Sequence, residues 1–116
     1  MAKKDDNKID FEKISFSIIV KVAEAKDKAL TALQEIRKGK QKEFDKLIGE
    51  SRAKIGEAGH EHLEVISKEA AGEDVKYSVL FMHAEDQLLT TQTLIDLVVE
   101  MATTIKDVNK LKEKCK

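Results

Sequence analysis

No proline interrupts the 116 residues of this chain, and that absence constrains the fold more than any other feature. Two of its five glycines, Gly39 and Gly72, divide the chain into three long segments. Within each segment apolar residues recur every three or four positions, the spacing of one face of an α-helix. A β-sandwich or barrel needs many turn residues and aromatic side chains, whereas only 4% of residues are aromatic. The sequence therefore predicts an all-α protein.

The predicted helices span about residues 11–38, 42–71 and 75–113. Glycines follow the first two, where a left-handed residue ends a helix, and Asp74 is the expected N-cap of the third. Short joints between long helices make neighbouring helices antiparallel. We therefore expect a single domain over residues 1–116, an antiparallel up-down-up three-helix bundle with frayed, charged ends at 1–9 and 112–116.

Charge and composition exclude several classes of function. With 21 basic and 22 acidic residues the net charge is −1, so no large basic field attracts nucleic acid. The single cysteine, Cys115, excludes an internal disulfide and a cysteine zinc cluster. Uninterrupted apolar runs such as 79–82 are far shorter than the ~20 residues that span a membrane, and the start lacks a signal peptide. We expect a soluble cytoplasmic protein without direct membrane insertion.

The third helix carries more apolar surface than one small bundle can cover. Its apolar residues form two stripes, of which one packs inside the bundle and the other is left in water. A wide exposed apolar band commonly marks an oligomer interface, so we predict a homo-oligomer built on this helix. The second stripe comprises Val79, Met82, Leu89, Leu97, Met101, Val108 and Leu111.

Chemistry concentrates in residues 81–89, where His83 and Asp86 are neighbours on one helix face. Asp86 falls within the second stripe, where an unpaired carboxylate costs several kcal/mol. If symmetry copies meet there, a divalent cation resolves the repulsion between the carboxylates. Spacing alone favours a solvated Asp86 at the edge of the stripe. His83 has an imidazole able to act as nucleophile or ligand near neutral pH, although a lone histidine is more commonly an ordinary surface or core residue.

The second helix holds weaker candidates. His62 lies on its apolar face and is predicted to be a hydrogen-bonded interior residue, whereas His60 points elsewhere, so the two do not chelate one metal. Glu57 and His60 have the Glu-x-x-His spacing of di-iron bundles, but the motif occurs once instead of twice. Gly56 and Gly59 indicate, with equal weight, a close approach to the backbone or a local weak point.

Five short segments of the chain form a pattern found in a known family; they are residues 16–20, 25–30, 69–73, 77–79 and 83–89. Together these segments resemble the lactose/cellobiose-specific enzyme IIA family of the bacterial phosphoenolpyruvate-dependent sugar phosphotransferase system. The likeness covers about residues 14–110 in order, spacing and length.

The resemblance implies a homotrimer of three-helix bundles and a role as phosphocarrier. His83 would accept a phosphoryl group from the phosphohistidine of HPr and pass it to a cysteine of the cognate enzyme IIB, during uptake of a β-linked disaccharide. Gln87 would support the site through its amide N–H. Asp86 from each of three subunits would bind one divalent cation, with Mg²⁺ preferred, on the trimer axis. No lysine, arginine or catalytic metal contacts the phosphoryl group in this interpretation.

Two residues depart from the family pattern His-x-Gln-Asp-His-Leu-Met, since Glu85 replaces the glutamine and Gln87 the second histidine. A carboxylate disfavours an incoming phosphoryl group, so we expect Glu85 to turn towards solvent. A trimeric helical adaptor that has lost phosphoryl transfer is the alternative function. A two-component histidine phosphotransfer domain ranks lower, because it has four core helices and a Lys-Gly soon after the histidine. The sugar, and any role of Cys115, stay open.

Overall fold

Three α-helices make up the fold. The computed structural model describes residues 10–76 and 78–116, with α1 at Phe11–Arg37, α2 at Gln41–Ala70 and α3 at Val79–Lys114. The described chain measures 74 × 20 × 20 Å, which is a slender rod. The predicted three-helix, all-α architecture is confirmed. The predicted frayed segment 1–9 lies outside the described residues, and α3 continues to Lys114, one residue beyond its predicted end.

Glycines end the first two helices as predicted. Gly39 and Gly72 have φ angles of 80° and 87°, in the left-handed region that glycine adopts without steric cost. At the first joint the backbone N–H of Lys40 donates to the Glu35 carbonyl at 3.0 Å. The second joint repeats the arrangement, with Glu73 N–H donating to the Lys68 carbonyl at 3.1 Å. Both are closures of a helix end that satisfy free carbonyl groups.

The third helix begins later than the sequence predicts. It starts at Val79 instead of residue 75, and its N-cap is Ser78 instead of Asp74. The Ser78 side-chain oxygen accepts from the backbone N–H of Phe81 at 3.1 Å, which satisfies one free amide of the first turn. Both Asp74 and Ser78 are good capping residues, so sequence alone did not distinguish them.

The core runs the length of the rod, and α1 packs against both other helices, while α2 and α3 share fewer contacts. One cluster joins the start of α1 to the end of α2 and the start of α3, which confirms the antiparallel order. A second cluster joins the opposite ends, and a small third one lies between them. The first cluster, which supports the candidate site, contains Ile18, Val22, Ala58, Val65, Phe81, Ala84 and Leu88.

The glycines inside α2 line an open groove instead of a close contact. This groove between α2 and α3 has a volume of about 400 Å³ and includes Gly56, Gly59 and Ile55. A Cβ atom built on either glycine meets no other atom within 4 Å. The close approach that the sequence allowed is therefore absent from the described part of this chain.

By length and mean hydropathy alone, α3 could cross a membrane. An 18-residue window within it has a mean hydropathy of 1.2, and 28% of that window is buried in the chain. Counting uninterrupted apolar runs does not reveal this property, because the mean hydropathy of the window combines residues from the two apolar stripes of α3. One stripe of α3 nevertheless lies in the core against α1, from Phe81 to Ala102. A soluble bundle helix that also carries an uncovered apolar stripe has the same hydropathy.

Candidate functional site

The His83 imidazole is exposed and lies in a groove between α1 and α3. The groove has a volume of about 410 Å³ and is open to solvent. Because no packed side chain covers the ring, a second macromolecule is able to reach it. The other residues that line the groove are Ile19, Val22, Ala23, Lys26, Asp27, Leu30 and Gln87.

Gln87 lies one helical turn beyond His83 and faces the same groove, as the spacing predicts. Its side chain is half-buried, and its amide N–H groups are hydrogen-bond donors. The two residues therefore present a nucleophilic nitrogen and a neutral donor to the same volume of solvent.

The first helix adds charged groups that the sequence analysis did not assign to the site. Lys26 and Asp27 line the groove with His83, although a site without lysine or arginine was expected. Lys26 belongs to the segment 25–30 that carries the family resemblance. Its helical spacing from Ile19, Val22 and Ala23, which also line the groove, was the available signal. Lys26 and Asp27 are both exposed, and the positive charge of Lys26 favours an anionic group beside His83 whereas the carboxylate of Asp27 disfavours it.

Glu85 points away from this groove and contacts α2. Its Oε2 atom lies 2.6 Å from Nε2 of His62, and both side chains are half-buried. The His62 ring also lies parallel to the Phe81 ring, with centroids 5.8 Å apart and an angle of 7°. The predicted hydrogen bond of His62 is confirmed. The expectation that Glu85 turns towards solvent is wrong, because His62 offers it a partner across the α2–α3 contact.

Asp86 is exposed on the outer side of α3, between the exposed side chains of Met82 and Leu89. Its backbone carbonyl accepts from the Thr90 hydroxyl at 2.8 Å, and its carboxylate forms no ion pair with another described residue. Carboxylate oxygens are the hard ligands that Mg²⁺ prefers, so the donor type fits a divalent cation. Within the described residues of one chain no three acidic, histidine or cysteine side chains gather around a metal-sized site. A cation held at Asp86 by three protein carboxylates would therefore need ligands from other copies of the chain.

Polar contacts hold α2 against α1 on the sides of the bundle. Lys21 Nζ lies 2.7 Å from Glu61 Oε1, and the hydrogen bond to that carboxylate raises the pKa of Lys21. Lys28 Nζ lies 2.9 Å from Glu50 Oε1, and this hydrogen bond lowers the pKa of Glu50. These pairs fix the position of α1, which forms one wall of the His83 groove.

His60 has no part in the groove. It is exposed, and its Nε2 atom lies 3.8 Å from Glu64 Oε1 on the same helix.

Comparison with known sequences identifies relatives over most of the chain. Residues 13–106 match the family model of the lactose/cellobiose-specific IIA subunit of the phosphotransferase system (PTS). The PTS oligo-beta-mannoside-specific EIIA component of Bacillus subtilis (strain 168) is 36% identical over 98 residues, covering 84% of this chain and 89% of that protein. The PTS lactose-specific EIIA component of Staphylococcus aureus (strain N315) is 36% identical over 92 residues, covering 79% and 89%.

A solved structure supports the same relationship at the level of the fold. The crystal structure of the PTS cellobiose-specific enzyme IIA from Bacillus anthracis superposes with a TM-score of 0.82 at 33% sequence identity. The match covers 89% of this chain and 94% of that one. The resemblance drawn from five short segments of sequence is thereby confirmed.

Proposed function

The chain belongs to the lactose/cellobiose-specific enzyme IIA family of the sugar phosphotransferase system, and on this premise we propose that its His83 is the phosphoryl acceptor of a sugar uptake pathway. Family members are phosphotransferase system proteins, and the exposed imidazole in an open groove is the observation that carries the assignment to His83. The donor is phosphorylated HPr and the acceptor is a cysteine of the cognate enzyme IIB. The site of action is the cytoplasm.

The first transfer needs an unprotonated ring nitrogen on His83. That nitrogen attacks the phosphorus of the phosphohistidine of HPr, a new N–P bond forms, and the donor N–P bond breaks with its electron pair returning to the donor imidazole. In the second transfer the thiolate of enzyme IIB attacks the same phosphorus, an S–P bond forms, and the His83 ring recovers its electron pair. Both steps require an in-line approach by a protein, which the open groove allows.

The groove residues stabilise the charge of the transferred group. Phosphoryl transfer proceeds through a loose transition state in which negative charge is spread over three oxygens. The Lys26 ammonium supplies a positive charge from α1 and Gln87 supplies neutral donors from α3. The pairing of Glu85 with His62 keeps that carboxylate out of the groove, where Asp27 is the acidic lining residue. Glu85 therefore gives no support to the silent adaptor.

A homotrimer accounts for the uncovered side of α3. The seven large apolar side chains that are exposed along α3 are the seven members of the predicted second stripe. Packing three copies along this stripe removes it from water and brings three Asp86 carboxylates together. A bound Mg²⁺ would neutralise their mutual repulsion and stabilise the assembly. Three Asp86 side chains would hold it, one from each copy.

The transported sugar is proposed from the relatives' names. They are called oligo-beta-mannoside-specific, lactose-specific and cellobiose-specific, and these names share β-linked sugars. We infer a β-linked oligosaccharide as the class of sugar for this pathway.

Labelling with phosphoenolpyruvate, enzyme I and HPr tests the proposal. The wild type should gain one acid-labile phosphate per chain, and His83→Gln should gain none. His60→Gln is the matched control, because His60 is also exposed but lies outside the groove. Lys26→Gln should still be labelled, at a rate about tenfold lower, since it removes one electrostatic donor. Labelling of His83→Gln at the wild-type level would refute the assignment, and an unlabelled but trimeric wild type would indicate the adaptor.

A further inference from the structure

The two ends of the rod carry opposite charge. Residues 35–42 and 106–116, at one end, contain nine lysines and arginines against three acidic residues. Residues 10–20 and 61–90, at the His83 end, contain nine acidic residues against three lysines. Although the net charge of the chain is −1, positive and negative residues are concentrated at opposite ends of a 74 Å axis. Such an asymmetry produces a local field that the net charge does not show.

The basic end contains a cleft of about 400 Å³ where the end of α3 meets the end of α1. Five cationic side chains line it, and the only acidic residue among its lining groups, Glu113, is paired with Lys116 at 3.1 Å. The neutral lining residues are Gly39 and Asn109. The cations are Arg37, Lys38, Lys110, Lys112 and Lys116.

Contacts within the chain position the residues that line the cleft. The Asn109 side-chain amide donates to the backbone carbonyl of Ile36 at 3.2 Å, which ties the last turns of α3 to the end of α1. The left-handed Gly39 turns the chain immediately beyond. One or two cations in the last turn are enough to complement a helix C-terminus. Lys38 lies 3.6 Å from Glu35 and Lys116 pairs with Glu113, which leaves three cations of the cleft without an acidic partner among the described residues. Three cations from two helices exceed that requirement and point to an external anion.

We propose that this basic end docks on the phosphate headgroups of an anionic membrane surface. The inference rests on the proposed function, because a sugar uptake pathway delivers its phosphoryl group at a membrane. The cations are confined to an end face about 20 Å across and do not follow the length of the rod, which suits a planar surface better than a nucleic-acid strand. Residues 35–42 and 106–116 contain no aromatic side chain, so this end offers no platform for base stacking.

Vesicle sedimentation tests the docking surface directly. The full chain is mixed with phosphatidylglycerol vesicles or with phosphatidylcholine vesicles at low and at moderate salt. We expect binding to the anionic vesicles only, and weaker binding as salt rises. The triple variant Lys38→Gln, Lys110→Gln and Lys112→Gln should bind about 100-fold more weakly, since each lysine near such a surface contributes roughly a fivefold gain.

A second triple variant provides the matched control. Lys13→Gln, Lys68→Gln and Lys76→Gln remove the same charge from the opposite end, and binding should stay within about twofold of wild type. Wild type that ignores anionic vesicles, equal binding to both vesicle types, or an equal loss in both triple variants would overturn the inference. Stronger binding to RNA than to vesicles at equal phosphate concentration would overturn it as well, in favour of a nucleic-acid partner.

Labelling of His83 on the same samples separates this inference from the proposed function. The basic-end variant should accept phosphate from HPr at the wild-type rate, because His83 lies towards the other end of α3. Labelling without vesicle binding refutes the docking surface alone. Vesicle binding without labelling in the wild type refutes the phosphocarrier assignment alone.

Discussion

The two faces of α3 differ in what covers them. Leu88 faces α1 and is 1% exposed, whereas its neighbour Leu89 faces outwards and is 51% exposed. The inner face is covered by other helices of the same chain. The second stripe, which forms the outer face and is called the outer stripe below, is also apolar but is not covered by any described residue. His83 and Asp86 are both exposed, and Asp86 belongs to the outer stripe. One helix therefore provides the fold on one side and, in our proposal, assembly and chemistry on the other.

The largest expected effect compares the two neighbouring leucines. Leu88→Ala leaves a cavity in the core and should lower the free energy of unfolding by about 2–5 kcal/mol. Leu89→Ala removes an exposed side chain and should change the unfolding of the separated chain by less than about 0.5 kcal/mol. Urea unfolding followed by circular dichroism, at a protein concentration where the chain is monomeric, measures both.

Association should show the reverse order. Leu89→Ala is expected to weaken the trimer, whereas Leu88→Ala should leave the association of its folded fraction close to wild type, as measured by sedimentation equilibrium. If Leu89→Ala left association unchanged, the outer stripe would not be the subunit contact, and the comparison of the two faces would lose its explanation.

Asp86→Leu extends the outer stripe by replacing its one charged member. The variant should still form trimers, because removing converging buried charges together is often neutral or stabilising. Magnesium should stabilise the wild type, by about 2.7 kcal/mol at a concentration 100 times its dissociation constant, and should leave Asp86→Leu unchanged. Thermal melts with Mg²⁺ and with a chelator measure the difference. A variant that failed to assemble would contradict the account of axial repulsion.

Much of the fold could be predicted from the sequence, because its strongest signals are local. Gly39 and Gly72 mark helix ends through backbone freedom that no other residue has, and the helical period identifies the inner face of α3. The start of α3 is predicted four residues too early, because Asp74 and Ser78 are both suitable N-cap residues. The open groove at the glycines of α2 depends on the separation of two helices, which periodicity does not specify.

The site divides in the same way. His83 and Gln87 share a groove because they are one turn apart on one helix, which the sequence shows directly. Lys26 lies on α1 and His62 lies on α2. Which residues of α3 they face depends on how the helices are rotated about their axes, and helical spacing within one segment does not specify that rotation. The pairing of Glu85 with His62 is of this kind, so helical spacing identifies no partner for Glu85 and predicts a solvated carboxylate.

Glu85→Gln tests the boundary between the two faces, where Glu85 is half-buried against α2. Replacing the carboxylate with a neutral amide weakens the 2.6 Å hydrogen bond to His62 and should lower the free energy of unfolding by about 1 kcal/mol, a smaller change than that of Leu88→Ala. Glu64→Gln is the control, since Glu64 lies 3.8 Å from His60 at an exposed site and should have almost no effect. Labelling of His83 should be unchanged in both variants. A marked loss of labelling in Glu85→Gln would place that carboxylate in the transfer site after all.

The smallest expected effect concerns the polar rim of the inner face, where Lys28 joins α1 to α2. The hydrogen bond from Lys28 lowers the pKa of Glu50 below its usual 4.5, so the ionised form is favoured in the folded state. The pair therefore stabilises the fold above pH 4.5, and this contribution disappears as the pH falls through the lowered pKa. Glu50→Gln should melt slightly below the wild type at pH 7, and the two melting temperatures should converge in acid. The exposed Glu100, which has no ion pair with another described residue, supplies the control Glu100→Gln. If the difference in melting temperature between Glu50→Gln and the wild type persisted in acid, the stabilisation would come from packing of the Glu50 side chain and not from its charge. The polar rim would then be stabilised by packing, as the apolar inner face is.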